Sequence, residues 1–132
     1  MKLVTRNTDY AVRALCYMAH NKKRVVSVGE LVSKLKIPRP FLRKILQALH
    51  KNNILVSMKG QGGGFELASE TDKISILKLI GIFQGPFKLN ECIFKGLRCP
   101  NIIKCRLNKK IEKIERQVRA DLKSINLADL LG

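Results

Sequence analysis

Three cysteines lie close together in the C-terminal half of the chain. Cys92, Cys99 and Cys105 are separated by six and five residues, and basic side chains surround them. Neighbouring cations favour the thiolate, which is the form of cysteine that binds metals and reacts with oxidants. Three thiolates suit an iron–sulfur cluster, or a Zn²⁺ site with one further ligand, although the paired cysteines of zinc ribbons are absent. The pattern therefore predicts a metal or cluster site, with a metal-free thiol switch as the alternative.

The other candidate ligands have simpler structural explanations. His20 and His50 lie at the C-terminal ends of predicted helices, where a cation complements the helix dipole. Asp9 lies in the first turn of the first predicted helix, where a negative charge complements the N-terminal end of the dipole. Cys16 falls inside an apolar helical pattern and is expected in the core. Asn108 follows the third cysteine by three residues and would be a poor ligand. The residues alone leave the fourth ligand open.

The composition points to a phosphate-bearing partner. Of the 132 residues, 26 are Lys or Arg and 10 are Asp or Glu, which gives a formal net charge of +16. Nucleic acid or an anionic membrane would complement this charge, but no apolar run approaches the length of a spanning helix. We expect a cytoplasmic protein with no membrane partner, where cysteines serve metal or redox chemistry. An enzyme is not expected, because the sequence contains no paired catalytic carboxylates, nucleophile–histidine arrangement or cofactor loop.

The positive charge is concentrated around a predicted helix-turn-helix. Residues 1–60 carry a net charge of +11 against +5 for residues 61–132, and residues 31–60 contain no acid. The S-x-x-E pattern from Ser27 to Glu30 predicts the start of a first helix that ends near Leu35. Pro38 and Pro40 fit the first turn of a second helix. An acid-free helix pair of this kind favours binding to DNA.

The second helix has one apolar and one basic face. The side chains expected to point inward are Phe41, Leu42, Ile45, Leu46 and Leu49, and those expected to point outward are Arg39, Arg43, Lys44, Gln47 and Lys51. Residues 54–58 and 65–68 then form two predicted strands, joined by a glycine-rich connection. A hairpin with such a tip can approach a phosphate backbone closely, because no Cβ intervenes. Together the two helices and the hairpin predict a winged helix.

The C-terminal part predicts two further helices. Ser75 is expected to cap a helix that ends at Gly85-Pro86, and a long helix covers residues 102–125. The long helix has a narrow apolar stripe made of Leu107, Ile111, Ile114, Val118, Leu122 and Ile125. Such a stripe is typical of a helix that pairs with its copy, with packing on its own domain as the alternative. The predicted fold is mainly α with a small β-hairpin wing: a DNA-binding domain over 1–84, then a cysteine-bearing loop and dimerisation helix over 85–132.

Four stretches carry a resemblance to a known family. The first runs from residues 1–3 (MKL) to 8–15 (TDYAVRAL), and the others are 37–46 (IPRPFLRKIL), 60–65 (GQGGGF) and 127–130 (LADL). With three cysteines in the expected loop, they resemble regulators of the IscR/NsrR type, the Rrf family. Members of this family are dimeric winged-helix transcription factors that sense iron–sulfur status, nitric oxide or redox state. The resemblance extends over nearly the whole chain.

The resemblance implies a role for specific residues at DNA. The second helix would enter the major groove with Arg39, Arg43 and Lys44, and the wing would reach the adjacent minor groove with Lys59. The remaining wing residues expected at the DNA are Gln61, Gly62 and Gly63.

The resemblance also implies an iron–sulfur cluster held by the three loop cysteines. In the nitric-oxide-sensing branch, an early aspartate of the partner subunit completes a 4Fe–4S site, and Asp9 falls at that position. The first cysteine gap is six residues where the family has five, and Asn108 stands where the 2Fe–2S type has histidine. The cluster type is therefore open between 4Fe–4S and 2Fe–2S.

The predicted function is a homodimeric transcriptional regulator, a repressor or an activator, that binds a roughly palindromic double-stranded DNA operator. An iron–sulfur cluster would set its operator affinity. The main alternative has the same fold and is controlled by thiol oxidation or by a protein partner, without a cluster. A second alternative is an architectural DNA binder that does not read sequence, which competition by random DNA would distinguish from a regulator.

Overall fold

The computed structural model of the chain describes residues 3–21, 25–89 and 106–131. Its first three helices are α1 (Arg6–His20), α2 (Val28–Leu35) and α3 (Arg39–Lys51). The predicted start of α2 is confirmed, because the Ser27 hydroxyl accepts a hydrogen bond from the Glu30 backbone N–H at 3.1 Å. The helix ends at Lys36, which takes the left-handed conformation (φ 58°) and donates its N–H to the Val32 carbonyl. The tight turn of the predicted helix-turn-helix follows from this cap.

The predicted hairpin is present and is extended by one further contact. Strands β1 (Leu55–Met58) and β2 (Gly64–Leu67) pair antiparallel, with Leu55 opposite Leu67. Val26 also pairs with Phe65 through two backbone hydrogen bonds of 2.8 Å, one in each direction. The hairpin is therefore attached to the chain just before α2, a contact that the sequence patterns did not predict.

Two helices complete the fold. Helix α4 (Ile76–Gln84) follows a 3₁₀ turn at Thr71–Lys73, and its predicted cap is confirmed by the Lys78 N–H, which donates to the Ser75 hydroxyl at 3.1 Å. Helix α5 (Arg106–Ser124) leads into a C-terminal 3₁₀ helix, Leu127–Leu130. The C-terminal segment runs back along the start of α4, where the Leu127 N–H donates to the Ile74 carbonyl at 2.8 Å.

All these elements share one hydrophobic core. The fully buried side chains at its centre come from all of the helices α1 to α4 and from the C-terminal 3₁₀ helix: Leu15, Leu31, Leu42, Leu46, Leu49, Leu79 and Leu127. Cys16 is half-buried and packs against this core rather than within it. The expectation that Phe41 points inward is wrong, since 45% of it is exposed. Leu42, Ile45, Leu46 and Leu49 already fill the inward stripe, and Phe41 lies about 100° around the helix from Leu42.

The apolar stripe of α5 divides into two parts. Leu122 is buried against the rest of the chain, as the alternative of packing on its own domain predicts. Leu107 and Ile114, nearer the start of the helix, remain 69% and 56% exposed. Val118 and Leu122 therefore pack on the core, and Ile125 beyond them is 37% exposed. Among the described residues, Leu107 and Ile114 form an apolar face that is largely uncovered.

Candidate nucleic-acid interface and cysteine segment

Helix α3 exposes the basic residues predicted to read DNA. Arg39, Arg43 and Lys44 are all solvent-exposed, and they lie in the first two turns of the helix. The guanidinium of Arg39 lies over the first turn of α2, 3.7 Å from the position that a Cβ on Gly29 would occupy. Because the opposite face of α3 is buried in the core, its basic face has a fixed direction. All three predicted helix residues thus lie on the solvent side of α3, with Arg39 towards α2 and Lys44 beside Asn7 and Phe83.

The wing tip presents Lys59 and Gln61 to solvent, directly after β1. Gly62 has a positive φ of +73° in the turn, with open space where a side chain would be. A Cβ on Gly63 would lie 2.5 Å from the Met58 carbonyl oxygen, so the hairpin itself has no room for a side chain there. The need for glycine at position 63 therefore has a cause within the chain, in addition to any approach of DNA.

His50 joins α3 to the wing. Its Nδ1 atom lies 3.2 Å from the Leu55 carbonyl oxygen, and its ring packs edge-on against Phe65 with centroids 6.4 Å apart. Together with the Val26–Phe65 pairing, this contact holds the wing at a fixed position relative to the basic face of α3. The expectation of a structural role for His50 agrees with these contacts. Its link to the wing is a feature that the sequence did not indicate.

Asp9 lies in the first turn of α1 and is half-exposed. Its carboxylate pairs with the Arg13 guanidinium at 3.0 Å, one helical turn further on. Exposed pairs of this type contribute only about 0.2–1 kcal/mol, because water screens both charges. The carboxylate could therefore exchange Arg13 for another partner at little cost.

Gln84, the last residue of α4, fixes the beginning of the chain. Its side-chain oxygen accepts hydrogen bonds from the Thr5 backbone N–H at 2.9 Å and from the Thr8 hydroxyl at 2.7 Å. Its amide nitrogen donates to the Leu3 carbonyl at 3.2 Å. These bonds hold the turn that carries Asp9 against the end of α4. No sequence pattern pointed to Gln84, because its partners are more than 75 positions away in the chain.

The predicted ligands Cys92, Cys99 and Cys105 lie outside the described residues. Within residues 3–21, 25–89 and 106–131, no three histidine, cysteine or acidic side chains are placed to hold a metal ion. Burial raises the pKa of the Cys16 thiol, which keeps that cysteine protonated at neutral pH. Asn108 donates to the Glu112 carboxylate at 3.1 Å. Of the ligands predicted from the sequence, the structure therefore describes Asp9, whose carboxylate pairs with Arg13.

In the part of the chain that the structure describes, no helix has the length and apolar character needed to span a bilayer.

Comparisons with known proteins agree with this geometry. The Rrf2 family model, described as "Iron-dependent Transcriptional regulator", matches residues 4–132. An HTH-type transcriptional regulator of Aquifex aeolicus, so named provisionally, is 37% identical over 125 residues, covering 93% of this chain and 87% of the relative. The HTH-type transcriptional regulator NsrR of Oceanobacillus iheyensis is 30% identical over 126 residues, covering 94% of this chain and 86% of NsrR.

Two solved structures have the same architecture. CymR, the global cysteine regulator of B. subtilis, superposes with a TM-score of 0.80 at 20% identity, covering 99% of this chain and 97% of CymR. IscR of T. potens superposes with a TM-score of 0.73 at 25% identity, covering 99% of this chain and 86% of IscR. The predicted fold class, mainly helical with a two-stranded wing, is confirmed.

Proposed function

The chain belongs to the Rrf2 family of transcriptional regulators, and we propose that it is a homodimeric, cytoplasmic regulator whose operator affinity is set by an iron–sulfur cluster. It is a regulator and not an enzyme, like the family members it matches. The proposal has three parts: a DNA-reading surface, a dimer interface and a cluster site. Each part is supported by a different feature of the chain.

The observation that carries the proposal is the basic surface of α3 with the wing fastened beside it. A recognition helix reads base edges with its N-terminal residues, and Arg43 and Lys44 lie in the first two turns of α3. Lys59 stands at the wing, where it would meet the phosphate backbone or the minor groove. Because His50 and Val26 hold the wing in place, one rigid unit would present both contacts to the operator.

The exposed end of the α5 stripe supports a homodimer. Leu107 and Ile114 are apolar and lie on the same face of α5, two helical turns apart. Within the described part of the chain, this face is exposed. Pairing of this face with its copy in a second subunit would bury both sets of side chains. A twofold dimer would place two recognition helices on one side of the assembly, which suits an operator with two half-sites about 34 Å apart.

The cluster would be held by Cys92, Cys99 and Cys105, with Asp9 of the partner subunit as the fourth ligand. Thiolates suit iron–sulfur clusters, and the Rrf2 family is described as one of iron-dependent transcriptional regulators. When bound, a 4Fe–4S or 2Fe–2S cluster supplies sensitivity to oxidants and to nitric oxide. Regulation then requires that the loaded and unloaded dimers make different contacts with DNA, because a ligand shifts an equilibrium only through such a difference.

Anaerobic purification followed by iron, sulfide and zinc analysis and a visible spectrum tests the cluster. We expect stoichiometric iron and sulfide in the wild type and in Cys16→Ser, which is the control because Cys16 packs against the core. Cys92→Ser should lose both iron and sulfide. Asp9→Ala should retain less iron than Arg13→Ala, because the Arg13 variant removes the ion pair but keeps the carboxylate. A colourless wild-type protein that also resists anaerobic cluster reconstitution would contradict the proposal.

A cluster-free regulator is the second candidate. The basic residues around the three cysteines favour thiolates, which can form a disulfide or a sulfenic acid without any metal. In that case the iron analysis is negative, while a mild oxidant still changes operator affinity and Cys99→Ser removes the change.

A further inference from the structure

Glu115, in the middle of α5, is a buried carboxylate. Only 8% of the residue is exposed, whereas Glu112 and Asp121 on the same helix lie in solvent. A carboxylate out of water is costly unless hydrogen bonds and a cation compensate it. Two groups compensate the Glu115 carboxylate: the backbone N–H of Leu89 and the guanidinium of Arg119.

Glu115 and Arg119 together hold the residues that lead into the cysteine segment. One carboxylate oxygen of Glu115 accepts a hydrogen bond from the Leu89 backbone N–H at 2.9 Å. The other lies 3.4 Å from the Arg119 guanidinium, and the same guanidinium nitrogen donates to the Phe87 carbonyl at 2.8 Å. The pair thus binds both a donor and an acceptor of the backbone at residues 87–89. Phe87 itself is buried, which fixes the segment further.

The position of this contact relates the cysteines to α5. Leu89 precedes Cys92 by three residues in the sequence. At the other end, Cys105 directly precedes the first residue of α5. Leu89 and Arg106, the described residues on either side of the cysteine segment (residues 90–105), therefore meet α5 at levels roughly 14 Å apart along its axis.

We propose that Glu115 and Arg119 are positioning residues that couple the state of the cysteine segment to α5. Ile114, adjacent to Glu115, belongs to the exposed apolar face of the same helix. A change at the cysteines that displaces residues 87–89 would act on α5 beside that face, and so on the distance between two DNA-reading surfaces. This inference rests on the proposed function, because it needs two states with different operator affinities.

The test compares three variants with a matched control. Glu115→Ala removes the acceptor of the Leu89 N–H, Glu115→Gln retains a neutral acceptor, and Arg119→Lys retains the charge but not the fork of donors. Asp121→Ala is the control, since it removes an exposed carboxylate from α5 whose partner is Gln117 at 3.2 Å. The first readout is hydrogen exchange of the Leu89 amide. The second is the ratio of operator affinities between cluster-loaded and cluster-free protein, on a duplex selected from a random pool by the wild type.

We expect Leu89 exchange to rise about tenfold or more in Glu115→Ala, by less in Glu115→Gln, and not at all in Asp121→Ala. The affinity ratio should fall towards one in the same order, with Arg119→Lys between the wild type and Glu115→Ala. Two substitutions of Glu115, to Gln and to Ala, are used so that the test remains valid if one of the variants folds poorly. If the wild type has a ratio of operator affinities different from one and all three variants keep that ratio, the coupling is overturned while the proposed function stands. A wild-type ratio of one would overturn both, and unchanged Leu89 exchange would overturn the contact itself.

Discussion

The side-chain oxygen of Gln84 accepts a hydrogen bond from the hydroxyl of Thr8, 2.7 Å away. Thr8 is completely buried, and Asp9 is the next residue in α1. Gln84 is also the last residue of α4, eight positions before Cys92. This bond therefore joins the turn that carries Asp9, the predicted ligand to the cluster of the other subunit, to the end of the helix that precedes this chain's own three cysteines.

Loss of this bond should destabilise the fold. Gln84→Ala removes the acceptor that the Thr5 N–H and the buried Thr8 hydroxyl share, and leaves that hydroxyl its 3.3 Å contact with the Thr5 hydroxyl. We expect a loss of about 1–3 kcal/mol in the free energy of unfolding. Urea denaturation of the metal-free protein measures it. Gln117→Ala is the matched control, since its amide donates to the exposed Asp121, and its effect should stay within about 0.5 kcal/mol. Equal losses in the two variants would show that Gln84 is not an anchor.

Arg43 should contribute to sequence recognition. It is exposed on the basic face of α3, and an arginine that bonds two acceptors of a guanine accounts for about 1–3 kcal/mol of discrimination. We expect Arg43→Ala to lose that amount on the selected operator and to relax base preference at one position in each half-site. Fluorescence anisotropy with a set of single-base operator variants gives both values. Unchanged preference at every position would mean that another face of the protein meets the bases.

Lys59 should act on the phosphate backbone instead. Neutralising one phosphate contact changes the slope of log affinity against log salt by about one unit. We therefore expect Lys59→Ala to weaken binding to selected and random DNA alike and to flatten the slope by about that amount. Lys113→Ala removes the same charge from exposed α5 and should leave the slope as it is. If both variants have the wild-type slope, the wing does not meet the backbone through Lys59.

The four cysteines should differ in reactivity. Burial raises the pKa of the Cys16 thiol, so little thiolate forms at neutral pH, whereas cations flank the other three in the sequence. In reduced, metal-free protein we expect iodoacetamide to modify Cys92, Cys99 and Cys105 well before Cys16. The rate at Cys16 should still increase at pH values where an ordinary thiol has levelled off. Peptide mass spectrometry measures each rate, and equally fast modification of Cys16 would contradict the assignment.

Local sequence patterns predicted most of the elements but not the contacts between them. The starts of α2 and α4 were predictable because Ser27 and Ser75 cap helices through residues three positions away. The pairing of Val26 with Phe65 and the bond from Leu89 to Glu115 join residues 26 or more positions apart, and no local pattern encodes them. The prediction that Phe41 points inward is wrong because an apolar residue type alone does not show that four other side chains already fill the inward face of α3.

In the candidate site too, local sequence patterns predicted the positions of residues but not the contacts between elements. Arg39, Arg43 and Lys44 could be placed on the solvent side of α3 from helix periodicity, and the structure has all three exposed there. Their roles at DNA, like the ligand roles of the cysteines and Asp9, remain predictions. The residues that fix the geometry around them, His50 and Gln84, act through side-chain bonds to other elements and emerge only from the folded chain.

The most direct measurement is the affinity of the wild-type dimer for its selected operator, before and after removal of the cluster, at one fixed salt concentration under anaerobic conditions. We expect two different dissociation constants, with the Cys92→Ser variant matching the cluster-free value and Cys16→Ser behaving as the wild type in both states. Equal constants for the loaded and the cluster-free wild type, on every operator that it selects, would contradict regulation by a cluster.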